Sequence, residues 1–173
     1  MAILEIVHYP EKVLLEVGKP VLAGEFNTEL RELVSGMFET MYAASGVGLA
    51  APQVGHSRRL FVMDCSHDED SPAPIAVINP EVISVSGEQN GDEGCLSFPG
   101  LFTKVKRSLT VVGRYNDLDG NVVEREFSGL EARCFLHETD HCDGIVFLDR
   151  MTPLKREMAK RKISKMIRTG EWD

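Results

Sequence analysis

Leu130-Glu131-Ala132-Arg133-Cys134-Phe135-Leu136-His137-Glu138-Thr139-Asp140-His141 carries two imidazoles four residues apart, with a carboxylate beside the first. The pattern predicts a helix over 129–142, ended by Gly144. At about 100° per residue, Leu130, Cys134, His137 and His141 fall within roughly 60° of one another. That stripe has histidines where a plain core helix has leucines. A lone histidine there reads as a satisfied core or surface group. A His-Glu-x-x-His pair on one helix face reads as two ligands of one divalent metal, with Glu138 in reach of a water at the ion. The spacing points to metal-assisted hydrolysis and leaves the substrate open.

A third ligand must come from elsewhere. Downstream, Asp143, Asp149 and Glu157 show no ligand pattern, and no histidine follows His141. Upstream, Glu93-Gly94-Cys95-Leu96-Ser97 presents Cys95 between a glycine turn and a strand-like segment. One thiolate and two imidazoles make a three-ligand site with an open fourth position, the arrangement of a catalytic centre. Cys134 and Cys142 compete for the role. Cys134 lies on the same helix one turn before His137 and is expected to line the cavity. Cys142 points about 100° away from His141 and is expected to pack.

Working outward, Asn27 is a candidate N-cap for an amphipathic helix over 28–43, whose apolar stripe runs Leu30, Leu33, Val34, Met37, Phe38, Met41 and Tyr42. Before it, two prolines suggest irregular structure with a short strand. Arg59–Asp64, Pro74–Asn79, Glu81–Glu88, Thr103–Tyr115 and Val122–Phe127 read as strands, the last two as a hairpin around Asn116–Gly120. Acidic Ser66–Pro74 reads as an exposed loop. Thr152-Pro153 opens a final helix, with Thr152 as N-cap. The expected fold class is α+β: mixed, mostly antiparallel sheets packed around a central metal-binding helix, with a C-terminal helix.

A chain of 173 residues with 43% hydrophobic and 27% charged residues suits one catalytic domain over 1–173 with its own core. No apolar run approaches ~18 residues, so no membrane span is expected. The start lacks a basic n-region and a long apolar stretch, so no secretory signal is expected. Four cysteines without a disulfide-like framework fit a reducing, cytoplasmic setting. Residues 151–173 hold seven basic against three acidic groups, a net +4, which leaves −12 for residues 1–150. That balance argues against coating of DNA and permits one anionic partner at the tail.

Three segments read together, Gly46-Val47-Gly48-Leu49-Ala50-Ala51-Pro52-Gln53, Glu93-Gly94-Cys95-Leu96-Ser97 and His137-Glu138-Thr139-Asp140-His141. In this order they resemble the three signature motifs of peptide deformylases, in particular the bacterial type I subgroup. The resemblance implies removal of the formyl group from formyl-methionyl nascent polypeptides, with formate and a free amine as products. It implies Cys95, His137 and His141 as metal ligands, Glu138 as the proton carrier, and the Gln53 side-chain amide and Leu96 backbone N–H as oxyanion donors. It implies peptide binding as an added strand along Gly48 and Gly94, and a methionine pocket for which Val47, Leu130 and Cys134 are candidates. Gly46 and Gly48 are expected to supply tight bends and close approach of a substrate backbone.

The resemblance implies ferrous iron (Fe2+) as cofactor, replaceable by zinc, nickel or cobalt, although ligand softness alone suits zinc. Arg133 stands near a position that is often apolar in the family; its stem is expected to pack while its head reaches water. Asp140 and Arg107 are a candidate ion pair bracing the helix. The basic helix over about 152–168 is a solvated face or, by resemblance, a ribosome-docking element. On the docking reading, deletion from 152 onward weakens ribosome binding and spares activity on short peptides. A zinc endopeptidase and a non-catalytic metal or redox module are the competing readings. The first needs no Cys95, and the second tolerates Glu138→Gln.

Overall fold

The computed structural model describes residues 3–66 and 70–172. The helix around the histidines, here α2 (Leu130–Cys142), sits at the centre and packs against both sheets. Helix α1 (Thr28–Ala43) begins where Asn27 accepts a 3.0 Å hydrogen bond from the Leu30 amide. It buries Leu30, Val34, Met37 and Met41 against β1 (Gly48–Ala50) and β2 (Leu60–Met63). Helix α3 (Pro153–Thr169) starts at Thr152, whose hydroxyl accepts from the Lys155 amide. All three helices lie where the sequence puts them.

A five-stranded sheet runs β1-β2-β3-β6-β7, with β3 at Ile75–Ser86, β6 at Thr110–Asn116 and β7 at Val122–Ser128. A second sheet pairs β4 (Gln89–Cys95) with β5 (Phe98–Arg107). Every paired strand among the described residues is antiparallel; one isolated parallel bridge joins Lys19 to Arg58. The expected α+β class holds.

Strand boundaries differ from expectation in instructive places. Pro74–Asn79 and Glu81–Glu88 are two halves of β3, joined through an irregular pairing between Ile78 and Glu81. Pro80 has no N–H for the ladder. Asn79 turns through φ 54°, and its side chain bonds both backbone groups of Val21, at 2.8 and 2.9 Å. Conversely, Thr103–Tyr115 is two strands in different sheets, broken at Ser108-Leu109. Gly94 is no turn: it lies inside β4 opposite Phe102, whose ring fills the space a side chain would need, 2.4 Å from an ideal Cβ. The first twenty residues contain a 3₁₀ segment, Lys12–Leu15, and no strand among those described. The hairpin of β6 and β7 is present, closed by Asp117 and Gly120. The expected Ser66–Pro74 loop lies partly outside the described residues; Asp70–Pro74 is exposed.

Helix α2 has no solvent face in its second half. Ala132, Phe135 and Cys142 bury one side against Phe61, Phe127 and Tyr115 of the large sheet. Full burial of one such aromatic contributes roughly 1.5–3 kcal/mol. This packing sets the helix rotation and turns His137 and His141 towards Glu93 and Cys95 of β4, with Cys134 and Glu138 beside Gly48 of β1. The tail belongs to the core on that side. Ala159, Ile163 and Trp172 pack with Phe98, Leu101 and Phe147, and the Trp172 ring meets Phe98 edge-on at 6.0 Å. Deletion from 152 onward therefore removes core as well as charge, so the expected sparing of short-peptide activity does not follow.

Candidate metal centre and active site

Cys95 ends β4 at a register shift after Gly94, which brings its sulfur to α2. One ligand atom each from Cys95, His137 and His141 lies within 4.8 Å of the other two, with Cys95 Sγ 3.4 Å from His141 Nε2. Two imidazoles and a sulfur at this spacing form a donor set for one divalent ion. Cys134 is elsewhere, with its thiol directed to the Val47 carbonyl. Cys142 is fully buried, its thiol pushed up to about 12 chiefly by burial.

The ring of His137 is held from behind. Its Nδ1 bonds Glu93 Oε1, which leaves Nε2 for an ion. Glu93 is itself clamped. Arg107 reaches Oε1 at 2.7 Å and Oε2 at 3.1 Å, while Arg133 Nη1 reaches Oε2 at 2.7 Å. Burial alone would raise the Glu93 carboxyl, but His137 and Arg107 hold it well below the usual carboxylate range. Arg107 continues to Asp140 at 2.7 Å, the ion pair expected from sequence, and Arg150 holds the same carboxylate at 2.8 Å. Buried charges survive only when paired in this way.

Arg133 departs from its expected pose. Its head does not reach water: the residue is 7% exposed, and the guanidinium bonds Glu93 and the Val105 carbonyl. The glycine at 91 makes room, since an ideal Cβ there would lie 3.3 Å from Arg133 Nη2. Glu93 is the functional residue that sequence reasoning missed. Its one available signal was its place two residues before Cys95 on the same strand.

Glu138 is 5% exposed, and its Oε1 has no hydrogen-bond partner among the described residues. Burial pushes its carboxyl up to about 7, with His137 opposing and Glu93 adding to the rise. Gly48 lies against it: an ideal Cβ at 48 would fall 2.6 Å from Glu138 Oε2 and 2.7 Å from Cys134 Sγ. Neither Gly46 nor Gly48 has positive φ; Gly48 serves close approach to α2, and an ideal Cβ at Gly46 would lie 2.9 Å from Leu96 Cδ1. Gln53 is oriented by the backbone three residues before it. Its Oε1 accepts from Ala50 N at 2.9 Å, so its Nε2 faces Cys95 Sγ at 3.4 Å and Ser97 Oγ at 3.2 Å.

A cavity of about 520 Å³ opens over these groups. Its walls include Val47, Gly48, Gln53, Gly94, Cys95, Leu96, Leu130, Cys134, His137 and Glu138; His141 lies behind it, 1% exposed. The volume suits a peptide end or other small ligand. Val47 and Leu130 stay partly exposed at the walls, and Cys134, one turn after Leu130 on α2, is buried.

The polypeptide deformylase family model matches residues 3–157. A peptide deformylase of Acidobacterium capsulatum is 49% identical over 99% of this chain and 100% of its own. The crystal structure of the Legionella pneumophila enzyme superposes with a TM-score of 0.88 at 43% identity, covering 98% of both chains. That of the Acinetobacter baumannii enzyme with Met-Ala-Ser bound gives 0.83 at 34% identity, over 87% of this chain and 99% of that one. The chain belongs to the peptide deformylase family, metal-dependent hydrolases that remove the N-terminal formyl group from nascent peptides.

Proposed function

We propose that Cys95, His137 and His141 hold one divalent ion and that Glu138 carries the proton in deformylation. The observation supporting this most is three convergent donor atoms beside a buried, unpaired carboxylate oxygen at the floor of an open cavity. Structural zinc sites close with four protein ligands; three donors here fit a centre that keeps one position for chemistry. When bound, the ion supplies Lewis acidity and brings the pKa of water from about 16 towards 7.

The protein's own groups do the rest. Glu138 takes the proton of the attacking water and returns it to the departing amine, as base and then acid. Gln53 Nε2 and the Leu96 N–H donate to the carbonyl oxygen as it gains charge; loss of one such donor costs roughly 3–4 kcal/mol of barrier stabilisation. Gly48 and Gly94 accept the peptide backbone as an added strand, so affinity is independent of the later side chains. Val47, Leu130 and Cys134 surround the methionine. Binding of Met-Ala-Ser by the Acinetobacter baumannii relative supports a peptide that begins with methionine as the ligand class.

The resident ion in this reading is ferrous iron, on family resemblance, with zinc, nickel or cobalt able to replace it. The whole of 1–173 acts as one catalytic domain in the cytoplasm. Exposed Arg161, Lys162, Lys165 and Arg168 on α3 offer a basic face to ribosomal phosphate. Because α3 also carries core residues, reversing these four charges is the clean test of docking; unchanged ribosome affinity would end that idea.

The deciding assay is anaerobic formate release from formyl-Met-Ala-Ser, with metal analysis of the same samples. Wild type releases formate, Glu138→Gln keeps its ion and loses activity, and Cys95→Ala loses both. Internal cleavage of unformylated peptide without formate would instead establish an endopeptidase.

A further inference from the structure

Two thiols to which deformylation gives no chemical step lie in one cluster at the cavity wall. Cys65 and Cys134 are both free. The Val47 carbonyl accepts the Asp64 amide at 2.9 Å and the Cys134 thiol at 3.6 Å, which brings the chain at 64–65 alongside α2. Cys65 packs against the buried cluster that contains Cys134, and its thiol, together with burial, pushes the Cys134 thiol above the usual thiol range. Cys65 is half-buried, whereas Cys134 is 4% exposed and lines the cavity. The pair thus joins an accessible sulfur to one that faces the substrate.

We propose that Cys65 and Cys134 are an oxidative modification site, forming a reversible disulfide with peroxide that alters the cavity wall at Val47 and Gly48. Peroxide meets the more accessible Cys65 first. A sulfur–oxygen bond forms, the oxygen–oxygen bond breaks, and one water leaves a sulfenic acid. The Cys134 sulfur then attacks that sulfur. The disulfide forms, the sulfur–oxygen bond breaks, and the hydroxyl leaves with the Cys134 proton as a second water. Two thiols lose two electrons, and one peroxide becomes two waters.

The disulfide draws the Cys134 sulfur from the Val47 carbonyl. This is also the sulfur lying 2.7 Å from an ideal Cβ at Gly48, so the displaced wall borders the proposed methionine site. The effect on substrate rests on the deformylase reading; the cross-link does not.

The test uses zinc-loaded enzyme, because zinc has no redox chemistry of its own. After hydrogen peroxide and alkylation of remaining thiols, a non-reducing digest is read by mass spectrometry. The expected product is a Cys65–Cys134 peptide pair two hydrogens lighter than the separate peptides. KM for formyl-Met-Ala-Ser rises about fivefold or more and returns with dithiothreitol. Cys65→Ser gives no such pair and keeps its KM through the peroxide treatment. Alkylation of both Cys65 and Cys134 after peroxide, or pairing of either with Cys95, overturns the site. A Cys65–Cys134 link with unchanged KM overturns its effect on the cavity. Failure of untreated enzyme to release formate would count against the deformylase reading alone, since the link is read by mass.

Discussion

Glu93, on β4, hydrogen-bonds His137 of α2 through the imidazole Nδ1, and the same carboxylate holds Arg107 and Arg133. One acid thus sets the tautomer of a metal-ligand candidate and pairs with two buried guanidiniums, one of which Asp140 also holds. Glu93→Gln removes the charge while keeping the shape. Metal affinity is expected to fall about 10–100-fold, measured by chelator competition. Breaking a buried pair costs about 3–5 kcal/mol, read by urea unfolding of the metal-free protein. Wild-type values in both measurements would rule out the bracing role.

Gly48→Ala tests the close approach of β1 to α2. Its Cβ would fall 2.6 Å from Glu138 Oε2 and 2.7 Å from Cys134 Sγ. Overpacking is expected to cost about 1–3 kcal/mol of stability. Displacing the carboxylate is expected to lower kcat about 10²-fold or more. Formate release and urea unfolding on the same preparation separate the two effects.

Trp172→Ala tests whether the tail is core. The ring is 4% exposed, meets Phe98 edge-on, and its Nε1 donates to the Tyr9 carbonyl at 2.6 Å. A loss of about 3–5 kcal/mol is expected. Phe98 also lines the cavity, so KM should rise along with the loss of stability. A change below about 1 kcal/mol would make the tail an appendage.

Tyr42 donates to Asp64 at 2.6 Å, and burial together with that carboxylate pushes the Tyr42 phenol up to about 12. The neutral phenol is the form that bonds. Its contribution is therefore fully present below the unfolded phenol pKa near 10 and lost as pH rises through about 12. Urea unfolding of wild type and Tyr42→Phe should differ by a constant amount from pH 7 to about 9 and converge between about 10 and 12. A gap that persists at pH 12 would assign the difference to packing.

Much of the site was legible because its parts repeat locally. The i, i+4 spacing of His137 and His141 puts both on one helix face wherever that helix lies, and Asn27 and Thr152 cap through their own next turn. Arg107 and Asp140 could be guessed as partners on charge alone. Arg133 could not be placed, because its environment depends on Gly91 and Val105 across the β4–β5 pair, which register sets at Gly91 opposite Val105. Gly94 read as a turn because a lone glycine carries no sign of the ring that covers it. Pro80 read as a strand end because a bulge depends on the neighbouring strand.

The amino-acid order alone determined the three helices, the α+β class, the imidazole pair and Cys95 as the candidate third donor, all of which follow from period, capping and ligand chemistry. Tertiary structure alone decided that Glu93 braces His137, that Arg133 is buried, that the tail supports Phe98, and that Cys65 lies beside Cys134. Those contacts join residues 28 to 74 positions apart in the chain. Backbone geometry correlates neighbours within a turn or a strand pair, whereas only packing of one finished element on another selects partners at that range.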